Sequence, residues 1–220
     1  MPRDLVIVGA GGFARETAQL VAAHPEWRLK GFADDDPALP GTVVDGFPVL
    51  GAAKDVTGEQ GVQVVVCTGS PRDYGSRARI VARLGLPPDR YATLVHPSVS
   101  MSASSSAGPG SVLLAGVVLT ASVRLGAHVA VMPHVTLTHD NVVEDFVTIA
   151  SGVRLGGSVR VGSGAYLGAG ALVREGRVIG AGALVGMGSV VTRDIPAGEV
   201  WVGSPARYLR PAPHSEGDPT

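Results

Sequence analysis

Every sixth residue from position 107 is apolar: Ala107, Leu113, Leu119, Leu125, Val131, Leu137, Val143, Ile149, Leu155, Val161, Leu167, Val173, Ile179, Val185 and Val191. At this chain's hydrophobic fraction of 45%, such a run would arise by chance in about one of 10⁴ to 10⁵ sequences, so the period is structural. Two residues before the apolar site stands a second stripe, with Val117, Val123, Val129, Val135, Val147, Val153 and Val159. Glycine follows the site at Gly126, Gly156, Gly162, Gly168, Gly180 and Gly186, where a turn needs a residue without Cβ clashes. Three hexapeptides make one triangular coil of a left-handed parallel β-helix, and residues 18 apart then stack at about 4.8 Å, the spacing of paired strands.

The chain before this repeat has a different rhythm. Asp4–Val8 and Trp27–Ala33 read as strands, Arg15–Ala23 as the helix between them, Val62–Thr68 as a later, nearly all β-branched buried strand, and Arg77–Leu84 as a helix. This predicts a small Rossmann-like βαβ domain over residues 1–92, with a parallel sheet and ligands at the carboxyl ends of its strands. The β-helix then spans 93–196. Residues 197–220 form a cap (Val200–Arg210, VWVGSPARYLR) over the open end of the solenoid and a tail, PAPHSEGDPT, expected to be disordered.

Composition narrows the partners. Eighteen Lys and Arg against nineteen Asp and Glu leave no basic field to hold a nucleic acid or an anionic membrane. No run is long enough to cross a bilayer. The single Cys67 forms no internal disulfide, and the start, MPRDLVIVGAGG, lacks a signal-peptide core, so the expected location is cytoplasmic.

Two places carry candidate chemistry. Gly9, Gly11, Gly12 and Ala14 form a G-x-G-x-x-A turn between strand and helix, where unpaired backbone N–H groups can hold phosphate. Asp34, Asp35 and Asp36 end the second strand, placed to bond a ribose or base. A domain of some 90 residues lacks the second half that a dinucleotide spans, so a nucleotide-linked sugar fits better. In the repeat, His139 is followed by Asp140, and 18 residues on, directly beneath His139 in the coil geometry, stands Gly157, whose N–H can serve an oxyanion.

The glycine loop, the acid-terminated strand, the solenoid with its His-Asp pair and the terminal VGSPAR segment, in that order, resemble the sialic-acid O-acetyltransferase and bacillosamine-type sugar N-acetyltransferase family of hexapeptide-repeat acyltransferases. The likeness runs to about Arg210. It implies a homotrimer with acetyl-CoA lying along the solenoid between neighbouring subunits, a nucleotide-linked amino sugar as acceptor, and direct acyl transfer without metal. By the same resemblance His139 is the general base, with Asp140, or else Glu144, orienting it, and Gly157 the oxyanion donor. Gly9, Gly11, Gly12, Phe13, Asp34 and Asp35 are the expected acceptor-binding residues. Thr148, Gly157, Ala169, Gly170, Gly203 and Arg207 are expected along the cofactor, with Ala150 among the small residues nearby, and with Pro205 and Ala206 completing the end motif. Members acting on nucleotide amino sugars often carry histidine where this chain has Phe13 and Thr148, which leaves open a different sugar or an acceptor that is not a sugar nucleotide.

Two alternatives stand beside N-acetylation. Hydroxyl acetylation of a sugar uses the same base and oxyanion donor. A γ-carbonic-anhydrase-like zinc site would use the H-x₄-H pair His134 and His139, with His96 or His128 as third ligand.

Overall fold

The computed structural model describes residues 1–58 and 61–213. The first domain is one five-stranded sheet. Its strands β1 (Arg3–Val8), β2 (Trp27–Ala33), β3 (Val43–Val44), β4 (Phe47–Gly51) and β5 (Gln63–Val66) lie in the order β3-β4-β2-β1-β5. β1 runs parallel to β2 and β5, and β2 to β4. The expectation of a wholly parallel sheet is corrected at its edge, where β3 and β4 form an antiparallel hairpin. Asp45 and Gly46, both at positive φ, supply the two-residue turn that such a hairpin requires.

Leu5, Val6, Ile7 and Val8 of β1 are buried on both faces, because a helix covers each. On one side α1 (Gly12–Ala22) packs Ala14, Ala18, Leu20 and Val21 with Leu5 and Ile7. On the other, Leu84 of α2 (Ser76–Leu84) joins Val6 and Val8. The domain is therefore Rossmann-like, as its apolar runs predicted.

From Leu94 onward the chain winds as a left-handed parallel β-helix of two-residue strands. Each pairs in parallel with the strand 18 residues on, as Thr136–Leu137 does with Arg154–Leu155. All fifteen predicted stripe residues are the second residue of their strand, and they line the core together with Val117, Val123, Val129, Val135, Val147, Val153 and Val159. The repeat also begins two strands earlier than the stripe suggested, at Leu94–Val95 and Ser100–Met101.

Successive residues of a strand point to opposite sides, so the first residue of each pair faces outward and defines three faces. On the face running from Leu94–Val95 to Leu184–Val185, Val112 and Ala130 are 1% exposed, because the first domain lies on it. The second face (Ser100–Met101 to Val190–Val191) and the third (Ser106–Ala107 to Val178–Ile179) are open, with Leu172 and Val178 exposed.

The predicted cap is a pair of strands. Glu199–Val202 adds in parallel to Leu184–Val185, and Arg207–Pro211 returns antiparallel. Pro211, the first residue of the expected tail, thus belongs to a strand. From residue 214 the tail lies outside the described residues.

Candidate active site

The corner between the second and third faces, diametrically across the coil from the covered face, carries His139 and Asp140. Corners of this solenoid turn by a residue in the left-handed region, and here it is Asp140, at φ 60°. Aspartate tolerates that region better than most residues. Its N–H donates to the Ala121 carbonyl of the preceding coil at 2.9 Å, and Ser158 N–H donates to the His139 carbonyl at 2.8 Å, so the backbone is held from both sides. The imidazole Nδ1 lies 2.8 Å from Asp140 Oδ2, with both side chains about 60% exposed. A carboxylate can only accept, so Nδ1 is the donor of this pair, which in the neutral ring leaves Nε2 as the acceptor. Glu144, the alternative partner, instead accepts from the Ser163 N–H at 2.9 Å.

Gly157 lies under this ring. A Cβ built on it would overlap His139 Cε1 and Nε2, so only glycine leaves the imidazole its place. The Gly157 N–H has no acceptor among the described residues, whereas its carbonyl accepts from Gly176 at 2.8 Å. His139, Asp140 and Gly157 are thus gathered as their 18-residue spacing implies.

Missed by the sequence reading is Asn141, fully buried inside this corner, with Nδ2 2.7 Å from the Gly156 carbonyl. Its signal was present: from Val117 to Ala171 it is the one polar residue in an inner stripe otherwise of valine and alanine.

The glycine loop forms a second site. Gly9, Gly11, Gly12, Phe13, Asp34, Cys67, Thr68, Gly69, Ser70, Asp73 and Ser76 line an open cavity of about 380 Å³ at the carboxyl ends of the strands. Asp34 shapes the loop, accepting from the Ala10 N–H at 2.7 Å and the Asp36 N–H at 2.9 Å. Asp35 is not in this cleft. Its carboxylate accepts from the Ala53 N–H at 3.0 Å and pairs with Arg83, because neighbouring residues at a strand end point to opposite faces. Cys67 is a core residue whose thiol burial pushes up to about 12.

The first domain is tied to the solenoid through Arg77, unread in the sequence. Only 1% exposed, it donates to the carbonyls of Thr68 (2.9 Å), His128 (2.8 Å), Phe146 (2.9 Å) and Val147 (3.2 Å), and to Thr148 Oγ1 (2.8 Å). Burial lowers its pKa to about 10, and it remains a cation. Thr148 therefore sits beneath the first domain, with its hydroxyl engaged by Arg77, and is not brought to the His139 corner.

The remaining expected residues lie elsewhere. Ala169 and Gly170 occupy the corner between the covered and second faces, Gly170 at φ 70°. Gly203 N–H donates to Ser189 Oγ at 3.1 Å, and Arg207 in the cap is exposed. Of the histidines, His134 stands one corner away from His139, His96 bonds Ser98, and His128 is buried against Phe146 and Tyr91. Among the described residues no three His, Cys, Asp or Glu side chains converge as a metal site, and no helix is long and apolar enough to cross a membrane.

Residues 4–84 match the family model described as the PglD N-terminal domain. Among solved structures, the acetyltransferase domain of PglB from Neisseria gonorrhoeae FA1090, in complex with acetyl coenzyme A, is 32% identical with a TM-score of 0.83, covering 95% of this chain and 100% of that one. Perosamine N-acetyltransferase from Caulobacter crescentus, a histidine-to-asparagine variant in complex with CoA and GDP-perosamine, is 30% identical with a TM-score of 0.84, covering 94% and 96%. WeeI from Acinetobacter baumannii AYE is 29% identical with a TM-score of 0.81, covering 93% and 99%. No curated protein matches in sequence.

Proposed function

Because the chain belongs to the bacillosamine-type sugar N-acetyltransferase family, we propose that it transfers the acetyl group of acetyl-CoA directly to the amine of a nucleotide-linked amino-dideoxy sugar, with His139 as general base. The observation that carries this reading is the His139 ring, oriented by Asp140 through Nδ1 and lying with Nε2 over Gly157.

Acetyl-CoA supplies the activated acyl carbon. His139 Nε2 takes the proton that the amine loses as its nitrogen bonds that carbon, and returns it to the sulfur as the C–S bond breaks. Asp140 stabilises the imidazolium formed in between. The Gly157 N–H, free of other acceptors, serves the oxyanion. A groove of about 490 Å³ on the second face, bordered by Thr136, Arg154, Leu155, Gly156, Leu172 and Arg174, begins beside this corner. Its apolar floor suits a pantetheine arm and its arginines suit phosphates.

The nucleotide belongs in the Gly9–Phe13 cleft, whose loop amides and α1 N-terminus favour a pyrophosphate. That cleft stands on the covered face, while His139 stands at the opposite corner. This separation supports reading the reaction centre as one made between subunits of a homotrimer, with the acceptor held by one chain and the base supplied by another. Leu172, Val178 and Met187, respectively 40%, 42% and 79% exposed, supply apolar surface for that assembly.

The test is thiol release from acetyl-CoA against UDP-, dTDP- and GDP-linked amino sugars, with hydroxy sugars as controls, for the native enzyme and His139→Ala. Turnover confined to amino sugars and lost by about 10²-fold or more in His139→Ala is expected. Undiminished turnover in the variant would remove the general-base assignment, and turnover of the hydroxy sugars alone would replace N- by O-acetylation.

A further inference from the structure

Gly156 and Gly157 share one peptide, so whatever holds the Gly156 carbonyl also aims the Gly157 N–H. In half of the turns of this solenoid that carbonyl is held locally. At Gly162, Gly168 and Gly180 it accepts from the amide three residues on, that of Ala165 (3.2 Å), Ala171 (3.1 Å) or Ala183 (3.2 Å). At Gly156 the corresponding amide, that of Val159, makes no such bond, and Asn141 takes its place from inside the coil at 2.7 Å.

We infer that Asn141 is a positioning residue for the transfer reaction: by holding the Gly156 carbonyl toward the core, it directs the Gly157 N–H outward as oxyanion donor beneath His139. The inference rests on the functional reading above. A trans peptide sets its C=O and N–H antiparallel, and the bond at Gly156–Gly157 is trans. With the carbonyl drawn inward, the N–H faces the side on which the His139 ring lies. Ser111 does a related service one corner away, its Oγ donating to the Gly126 carbonyl at 2.9 Å.

The cost of this arrangement points the same way. Asn141 Oδ1 is buried and has no hydrogen-bond partner among the described residues. An unsatisfied buried acceptor costs about 1–3 kcal/mol, and valine fills the same inner position at 135 and 147, one hexapeptide before and after. For folding alone, valine at 141 would serve at least as well. In that variant the Val159 amide is free to claim the Gly156 carbonyl, as the corresponding amides do at Gly162, Gly168 and Gly180, rotating the peptide and turning the donor away from the thioester.

Asn141→Val and Asn141→Ser in the full-length enzyme test this against the thermal midpoint and the kcat and KM for acetyl-CoA. Asn141→Val is expected to keep or raise the midpoint and to lower kcat by about ten- to a hundred-fold, somewhat less than deleting an oxyanion donor outright, with KM changed less than about two-fold. Asn141→Ser, which retains a hydroxyl donor, should recover most of that kcat. Native kcat in the valine variant, or a serine variant as slow as the valine one, would overturn the inference. His139→Ala measured alongside separates the two failures: full turnover there removes the functional reading, whereas loss there with full turnover in Asn141→Val removes only the role of Asn141.

Discussion

The His139 imidazole rests on the Cα of Gly157, one coil further along the solenoid, so closely that a Cβ there would overlap Cε1 and Nε2. Gly157 is not in the left-handed region, so alanine would suit its backbone, and the collision with His139 is the closest that its Cβ would make. Gly157→Ala is therefore expected to fold with a midpoint near native while pushing the ring off its position. A displacement of about 1 Å at a reacting group costs on the order of 10²-fold in rate. Steady-state kcat with a parallel melting curve checks this; native kcat would mean that the ring position does not matter.

Arg77 joins the floor of the Gly9–Phe13 cleft, at Thr68, to the solenoid corner at His128 and Phe146. Its guanidinium meets acceptors spread in several directions, a pattern the compact ammonium of lysine cannot reproduce. Removing it leaves several buried carbonyls unsatisfied. Arg77→Met, and Arg77→Lys nearly as much, should lose about 3 kcal/mol of stability, lowering the midpoint by roughly 6–12 °C for a chain of this size. A midpoint unchanged in Arg77→Lys would show that one point charge suffices.

What could be read from the chain divides along the range of the interactions. The six-residue stripe was legible because every coil buries the same position, so one rule repeats until Val191. The stripe continues in phase back through Met101 and Val95, although Met101, in a serine-rich first coil, is 38% exposed. His139 and Gly157 were readable together because 18 residues is one turn of the coil. Asp35 was not separable from Asp34, since residue type alone does not tell which strand-end side chain faces the loop. The Arg77 to Thr148 bond joins residues 71 apart across two domains of different rhythm, and no local pattern encodes such a contact. Asn141 was visible as a break in the inner stripe, but its meaning required the Gly156 carbonyl.

His128 is packed flat on Phe146, at 5.1 Å between ring centroids and 4° between planes, and edge-on to Tyr91. Burial, and then the nearby Arg77 cation, depress its pKa from 6.5 to about 4. Between those values the unfolded state holds the proton and the folded state does not, so stability is full above about pH 6.5 and is lost as pH falls toward 4. From pH 7 to pH 5 this residue should account for about 2 kcal/mol. His128→Phe, which places at 128 the residue found 18 positions on at the same corner, should flatten that part of the pH dependence of the melting temperature. An equal slope in both proteins would assign the acid sensitivity elsewhere.

If, as proposed, the reaction centre is shared between subunits, the Gly9–Phe13 cleft and His139 of one site come from different chains, and subunit mixing tests it directly. Gly11 has nothing within 4 Å of its Cβ direction, so Gly11→Asp adds a carboxylate to the expected pyrophosphate site without disturbing the fold. His139→Ala removes the base. Each variant alone should be nearly inactive. After co-refolding at equal amounts, a site that takes its base from one chain and its acceptor cleft from another is intact when a Gly11→Asp chain supplies the former and a His139→Ala chain the latter. Random assembly of a closed ring makes about a quarter of the sites so. Thiol release recovering to about a quarter of native would establish a shared centre, and no recovery from verified mixed oligomers would place cleft and base within one chain.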